Sequence, residues 1–578
     1  MKILLSLLSL LLLPMAANAY YDVVVDGIYY DISQVTKEAT VTSGDTKYTG
    51  SVVIPANFIL DGVMYNVIGI GASAFISCSD LSSVSIPNSV TSIDGSAFMG
   101  CEGLLNLTIP NSVLSIGSNA FYGCSGLTSV TIGSGVKSIG RTAFEKCNSL
   151  TSVHILDIAA WCNISFDTEY RSSNPLYYAE HLYLNGIEVK DLVIPNGVTY
   201  IGKQAFYNYD GLATVTIPSS VISIQSHAFQ NCSGLTSVTI PDGVISIGES
   251  AFAECYSLAS VTIPNSVTSI GWAAFSGCGL TSVTIGSGLK SIGGNAFMYC
   301  SDLKSVHISD LSAWFKISFG KYDSRYYSNP LSYAEHLYLN GIEVKDLVVP
   351  NDVTSIGGGI FYGCKGLSTV TIPNSVLSIG SDAFRYCSGL TSVVIPNSVV
   401  SIDIYAFDQC SGLTSVTIGN GVTSIGSYAF SYCSRLATLS IGNGIQNIDN
   451  RAFYYCVGLS DVFCYSENVP FLNPGSFQDS DLQYKTLHVP GSAVDAYKAD
   501  EEWKKFGSIV ALKAGDPGNE ETQKQGDLNS DNTVNGTDLV LLTQLVLTSS
   551  FNSSADLNND GLVNGTDYVL MVNKILGK

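Results

Sequence analysis

Phenylalanine returns along this chain at a fixed interval. Phe75, Phe98, Phe121 and Phe144 are each 23 residues apart, and so are Phe206, Phe229, Phe252 and Phe275. The register continues through Phe297, Phe361, Phe384, Phe407, Phe430 and Phe453. One copy, Ser233 to Cys255, reads SGLTSVTIPDGVISIGESAFAEC. Its apolar positions are Leu235, Val238, Ile240, Val244, Ile247, Ala251, Phe252 and Cys255. The spacing L-x-x-V-x-I is a short strand with alternate side chains inward. Pro241 ends it, because proline has no N–H for a ladder. Asp242-Gly243 supplies turn chemistry, VISIG is a second extended piece, and AFAEC closes the rung with a helical or 3-10 turn. One rung cannot bury these side chains, but stacked rungs share a continuous core. The expected fold is therefore a β-rich solenoid of short parallel strands, capped at both ends.

Two steps are longer, from Phe144 to Phe206 and from Phe297 to Phe361. Each holds the same insertion, near residues 153–196 and 306–350, as expected of an internal duplication of about 153 residues. Each insert predicts a short helix, around Trp161 and Trp314, and a return to the ladder through the Asn185-Gly186 and Asn340-Gly341 turns. Aromatic inserts in an otherwise Ser- and Thr-rich face make Trp161 and Trp314 the first candidates for partner contact.

Both ends read as caps. Residues 20–70 open with a hairpin pattern around Asp26-Gly27. Residues 458–512 close with strand, amphipathic helix and strand, which protects the ladder from an exposed edge. The repeats fill residues 71–457. Residues 513–526 are polar, contain Pro and Gly, and read as a linker.

The repeated LTSVTIPNSVTSIG…AF…C pattern resembles the BspA-like, Treponema-pallidum-type leucine-rich repeats of bacterial surface proteins. The resemblance spans most of residues 20–512. It implies a curved leucine-rich-repeat solenoid, and adhesin-like binding of a host or matrix protein or a glycan.

The net charge is −21. That argues against nucleic acid and anionic membranes, which call for cationic patches. Residues 1–19 read as a cleaved signal peptide, with Lys2, an apolar run and a small-x-small site ending at Ala19. No later segment is long and apolar enough to span a bilayer. The expected location is secreted or at the cell surface.

Thirteen of the fifteen cysteines stand three residues after a ladder Phe, and Tyr209 takes that place in one rung. Stacked rungs would bring such cysteines within bridging distance, so geometry does not forbid disulfides. An unbroken column nonetheless offers no pairing scheme, and a buried, reduced thiol column is expected. In the inserts, Cys162 corresponds to Phe315, so an apolar side chain serves at that point. Glu180-His181 and Glu335-His336 are the only adjacent acid–imidazole pairs of note. Neighbouring strand residues face opposite ways, so a structural role is expected. No nucleophile stands in a catalytic context, and no enzyme activity is expected.

The most specific chemistry lies in residues 527–578. DLNSDNTVNGTD and DLNNDGLVNGTD each place oxygen ligands where a calcium loop requires them. The first set is Asp527, Asn529, Asp531, Thr533 through its carbonyl, Asn535 and Asp538. The second is Asp556, Asn558, Asp560, Leu562 through its carbonyl, Asn564 and Asp567. Each loop runs into an apolar helix. A loop–helix pair repeated 29 residues on resembles a type I dockerin. The resemblance implies a small α-helical module with two EF-hand-like loops, two calcium ions and a cohesin-type partner. The implied partner contacts are Gly536, Thr537, Gly565 and Thr566. Two alternatives stay open: a non-catalytic part of an extracellular polysaccharide-degrading assembly, or a spacer that displays the dockerin.

Overall fold

The computed structural model describes residues 20–167, 173–320, 328–513, 516, 539, 542, 543, 555, 557 and 563–575. The expected rung is present throughout the repeats. In the rung of Phe121, Leu107 and Ile109 point inward from the strand Asn106–Ile109, and Pro110 follows it. Ser115–Ile116 is the second extended piece. Parallel pairing is in strict register: Val130 lies beside Leu107 on one side and Val153 on the other. The second ladder pairs Ile116 with Ile93 and Ile139.

The segment around the Phe is built of i to i+3 turns, such as Cys124 N–H to Phe121 carbonyl at 3.1 Å. Left-handed residues interrupt these turns, two residues before and two after the Phe, as at Asn119 and Gly123. The turns form a third ladder of their own, in which Phe121 N–H donates to the Ala143 carbonyl at 2.8 Å. Three ladders per rung satisfy the backbone, so the interior is left to side chains. Phe75, Phe98, Phe121 and Phe144 stack with centroids 4.7, 5.3 and 5.1 Å apart. Each is fully buried, contributing about 1.5–3 kcal/mol by transfer from water.

The chain divides into two compact units. The first comprises residues up to Leu280 with Ala296–Cys300. It opens on the antiparallel hairpin Tyr20–Val25 and Ile28–Ser33, which turns at Asp26-Gly27 as expected. Val63–Ile70 then joins the second ladder, with Ile70 beside Ile93. The second unit comprises Thr281–Asn295 and Ser301 onward. Its long sheet runs from Asp346–Val348 through Thr369–Thr371, Ser392–Ile395, Ser415–Ile418, Thr438–Ile441 and Asp461–Cys464 to Thr486–Val489 and Ser508–Ala511. Between the last two strands lies the helix Val494–Ala499, giving the expected strand–helix–strand cap. Tyr497 and Trp503 are fully buried there, and Trp503 Nε1 donates to the Pro470 carbonyl at 2.9 Å. The predicted signal peptide, and the linker apart from Lys513 and Asp516, lie outside the described residues.

Candidate functional sites

Each insert replaces part of a rung with a built motif. Asp157 precedes the helix Ile158–Cys162, and its Oδ1 accepts from Ala159 N–H at 2.7 Å and Ala160 N–H at 3.1 Å. This cap turns the chain so that Trp161 enters the core, 1% exposed, packed edge-on against Phe166. Its Nε1 donates to the Ala205 carbonyl at 2.8 Å. Trp314, on Leu311–Phe315, is equally buried against Phe319. Its Nε1 has no hydrogen-bond partner among the described residues. The expectation that Trp161 and Trp314 meet a partner is corrected here: both indoles plug the core where the ladder is interrupted. The Ser-Asn-Pro-Leu segments act as staples. The fully buried Asn174 amide donates to the Gln204 carbonyl at 2.7 Å, and Asn329 to Gly359 and Ile360 at 2.9 and 2.8 Å.

The inserts do present one polar arrangement to solvent, in two copies. His181 Nδ1 meets Glu188 Oε1 at 2.7 Å, and Lys190 Nζ lies 3.4 Å from the other carboxylate oxygen. His336, Glu343 and Lys345 repeat it at 2.6 and 3.6 Å. The partner of each imidazole is therefore not the adjacent Glu180 or Glu335. It is reached across the Asn185-Gly186 or Asn340-Gly341 turn, where Leu184 pairs Ile187 and Leu339 pairs Ile342. The His181 hydrogen bond, helped by Lys190, holds the Glu188 carboxyl below its ordinary range. His154 stacks on Tyr183, and His307 on Tyr338, with centroids 4.7 and 4.8 Å apart. The hairpin register sets Glu188 opposite Tyr183 and Glu343 opposite Tyr338, so each His–Glu pair is a diagonal contact, one same-face position away from the facing pair.

The C-terminal loop–helix is anchored by its last two predicted ligands. The helix Gly565–Ile575 starts just after Asn564. Asn564 Oδ1 accepts from Thr566 N–H at 2.7 Å, while Asn564 N–H donates to Asp567 Oδ2 at 2.9 Å. This reciprocal pair is a capping box. The other oxygen, Asp567 Oδ1, accepts from Leu557 N–H at 2.7 Å, tying the start of the loop to the start of the helix. Asp567 is fully buried, and Met571 packs with Leu542 and Ala555 in a small core. Gly565 and Thr566 are exposed. A Cβ on Gly565 would meet open space. Asp527, Asn529, Asp531, Thr533, Asn535, Gly536, Thr537, Asp538, Asp556, Asn558, Asp560 and Leu562 lie outside the described residues. Among the described residues no three His, Cys, Asp or Glu side chains converge as a metal site.

All fifteen cysteines are buried and free. No helix among the described residues is long and apolar enough to cross a membrane.

Stacked rungs, a sealed interior and exposed polar edges define a repeat-built interaction protein. Residues 66–166, 179–304, 334–460 and 377–492 match the model of the BspA type leucine rich repeat region, in six copies. The chain belongs to that family, and residues 525–576 match the dockerin type I domain. Both are non-catalytic interaction modules, and dockerins mediate cohesin binding. No curated protein matches the chain. Similar solved structures include a leucine-rich repeat protein from Bacteroides ovatus, 27% identical over 73% of this chain and 94% of that one, with a TM-score of 0.47. A leucine rich cell surface protein from Faecalibacterium prausnitzii is 23% identical over 86% and 97%, with a TM-score of 0.28. The T. pallidum leucine-rich repeat protein is 16% identical over 72% and 91%, with a TM-score of 0.13.

Proposed function

We propose that the chain is an extracellular, non-catalytic binding scaffold, held to a cohesin-type partner by a calcium-loaded dockerin. The observation that carries this reading is the buried Asp567 carboxylate, fixed on both oxygens by main-chain amides where loop meets helix. A buried carboxylate beside further oxygen donors suits a hard divalent cation. Asp527, Asn529, Asp531, Thr533, Asn535 and Asp538 would hold one calcium ion. Asp556, Asn558, Asp560, Leu562, Asn564 and Asp567 would hold the second. Bound calcium would neutralise the clustered carboxylates and cross-link each loop. The capping box already orients Asn564 and Asp567, so that ordering cost is partly met before an ion binds. Gly565-Thr566, which is exposed, and its sequence counterpart Gly536-Thr537 would face the partner, and the identity of the two pairs fits two binding orientations.

The solenoid would engage a host or matrix protein or a glycan. With Trp161 and Trp314 buried, that contact falls on other residues of its surface. Surface plasmon resonance of the full chain over a panel of immobilised cohesin modules tests the docking. Binding with calcium, abolished by chelator, is expected. No binding to any cohesin, or binding indifferent to chelator, would overturn it.

A further inference from the structure

Every rung places two residues in the left-handed region, two before and two after its Phe. In the first unit the later slot holds Lys146, Glu254 and Tyr299 in three rungs, and small or flexible residues in the others, among them Ser77, Gly100, Gly123, Asn208 and Asn231. These suit positive φ, which bulky L-residues disfavour. In the second unit tyrosines gather in the left-handed slots between residues 382 and 455. Tyr386, Tyr405, Tyr428, Tyr432 and Tyr455 occupy these slots with φ of 63, 60, 58, 54 and 56°. Backbone preference opposes each of them, and the same fold manages with Gly or Asn elsewhere. Inter-ring contact is one return on that cost: Tyr405 and Tyr428 stack with centroids 5.0 Å apart, and Tyr432 tilts onto Tyr455 at 5.3 Å. It does not account for Tyr432 and Tyr455 standing 41% and 44% exposed.

The charges around them are balanced. Arg385 lies 4.4 Å from the Tyr405 centroid and 5.0 Å from that of Tyr386. Its Nε donates to Asp408 at 2.8 Å and its guanidinium meets Asp382 at 3.1 Å. Residues 382–455 contain three Arg and four Asp and no Lys or Glu, in a chain of net charge −21. The face is thus aromatic, rich in hydroxyls and nearly neutral. Its rings repeat at the rung spacing of about 5 Å. An extended β-linked hexose chain advances by a similar distance per sugar. Such a chain offers C–H faces for aromatic rings and hydroxyls for Tyr, Gln and Asn.

We propose that the Tyr-bearing turn face of residues 382–455 is a binding surface for an uncharged, extended polysaccharide, one sugar per rung. This rests on reading the solenoid as a binding scaffold, and is independent of the dockerin. The test is titration calorimetry of the full chain with uncharged β-linked gluco- and manno-oligosaccharides, from disaccharide to hexasaccharide, in chelator. Affinity that rises with length is expected for at least one series. Tyr432→Asn with Tyr455→Asn should weaken it about tenfold or more. Asn occupies the same slot at positions 208 and 231, so the variant's melting temperature should hold or rise. Wild-type chain that binds no member of either series overturns the proposal. So does binding unchanged in the variant, or binding of an acidic polysaccharide or a protein alone by this face. Cohesin docking in calcium should be the same for both chains, so failure of one reading leaves the other standing.

Discussion

The thiol of Cys101 donates to the carbonyl oxygen of Phe75, one rung earlier, at 3.0 Å. Cys124 repeats this to Phe98, Cys255 to Phe229 and Cys410 to Phe384, at 3.1, 3.2 and 3.1 Å. The cysteine column is a ladder of weak hydrogen bonds. It also explains Tyr209, whose hydroxyl donates to the Val189 carbonyl at 2.7 Å in the one repeat that lacks the thiol.

The thiols should be inert while the chain is folded. Ellman's reagent should label none of the fifteen in the native protein and all of them in guanidinium. Fewer than fifteen after denaturation without reductant would reveal disulfides and contradict the ladder.

Burial raises the thiols of Cys147, Cys300 and Cys456 from an ordinary 9.0 to about 12. The folded chain then holds protons that the unfolded chain releases. Their contribution to stability is complete below pH 9 and is lost as pH rises from there towards 12. Denaturant midpoints should therefore fall steeply across that interval. Alanine at several column positions should flatten the slope.

Phe407 is fully buried between Phe384 and Phe430, at 5.1 and 5.0 Å. Phe407→Ala should cost about 3–5 kcal/mol by cavity formation. Hydrogen exchange should show lost protection first in Ser392–Ile395 and Ser415–Ile418, because each rung contacts only its neighbours.

The two insert tryptophans, Trp161 and Trp314, differ in one hydrogen bond. Trp161→Phe should therefore cost about 1 kcal/mol more than Trp314→Phe, measured by urea denaturation. Neither should alter partner binding. A binding defect without a stability defect would restore them as contact residues.

The fold was legible because its signal was periodic: Phe, Cys and the strand residues repeat in register, so each rung confirms the others. The inserts were less legible because they occur only twice. Aromatic residues there looked available for contact, yet Trp161 and Trp314 fill core space that a regular rung would fill itself. His181 faces away from its chain neighbour Glu180, as strand alternation requires, but its diagonal contact with Glu188 across the hairpin is not set by spacing alone. At the C-terminal loop, the spacing marks Asn564 and Asp567 as ligands. The same N-x-x-D spacing was also a capping signal. The left-handed slots are not legible in the sequence because side-chain patterning says nothing of φ, so the tyrosines there stand out only in the backbone.

Calorimetric titration of the full chain with calcium tests the central claim most directly. About two ions per chain are expected, with loss of both in the Asp527→Ala, Asp556→Ala double variant. Retention of the wild-type stoichiometry by that variant would contradict it.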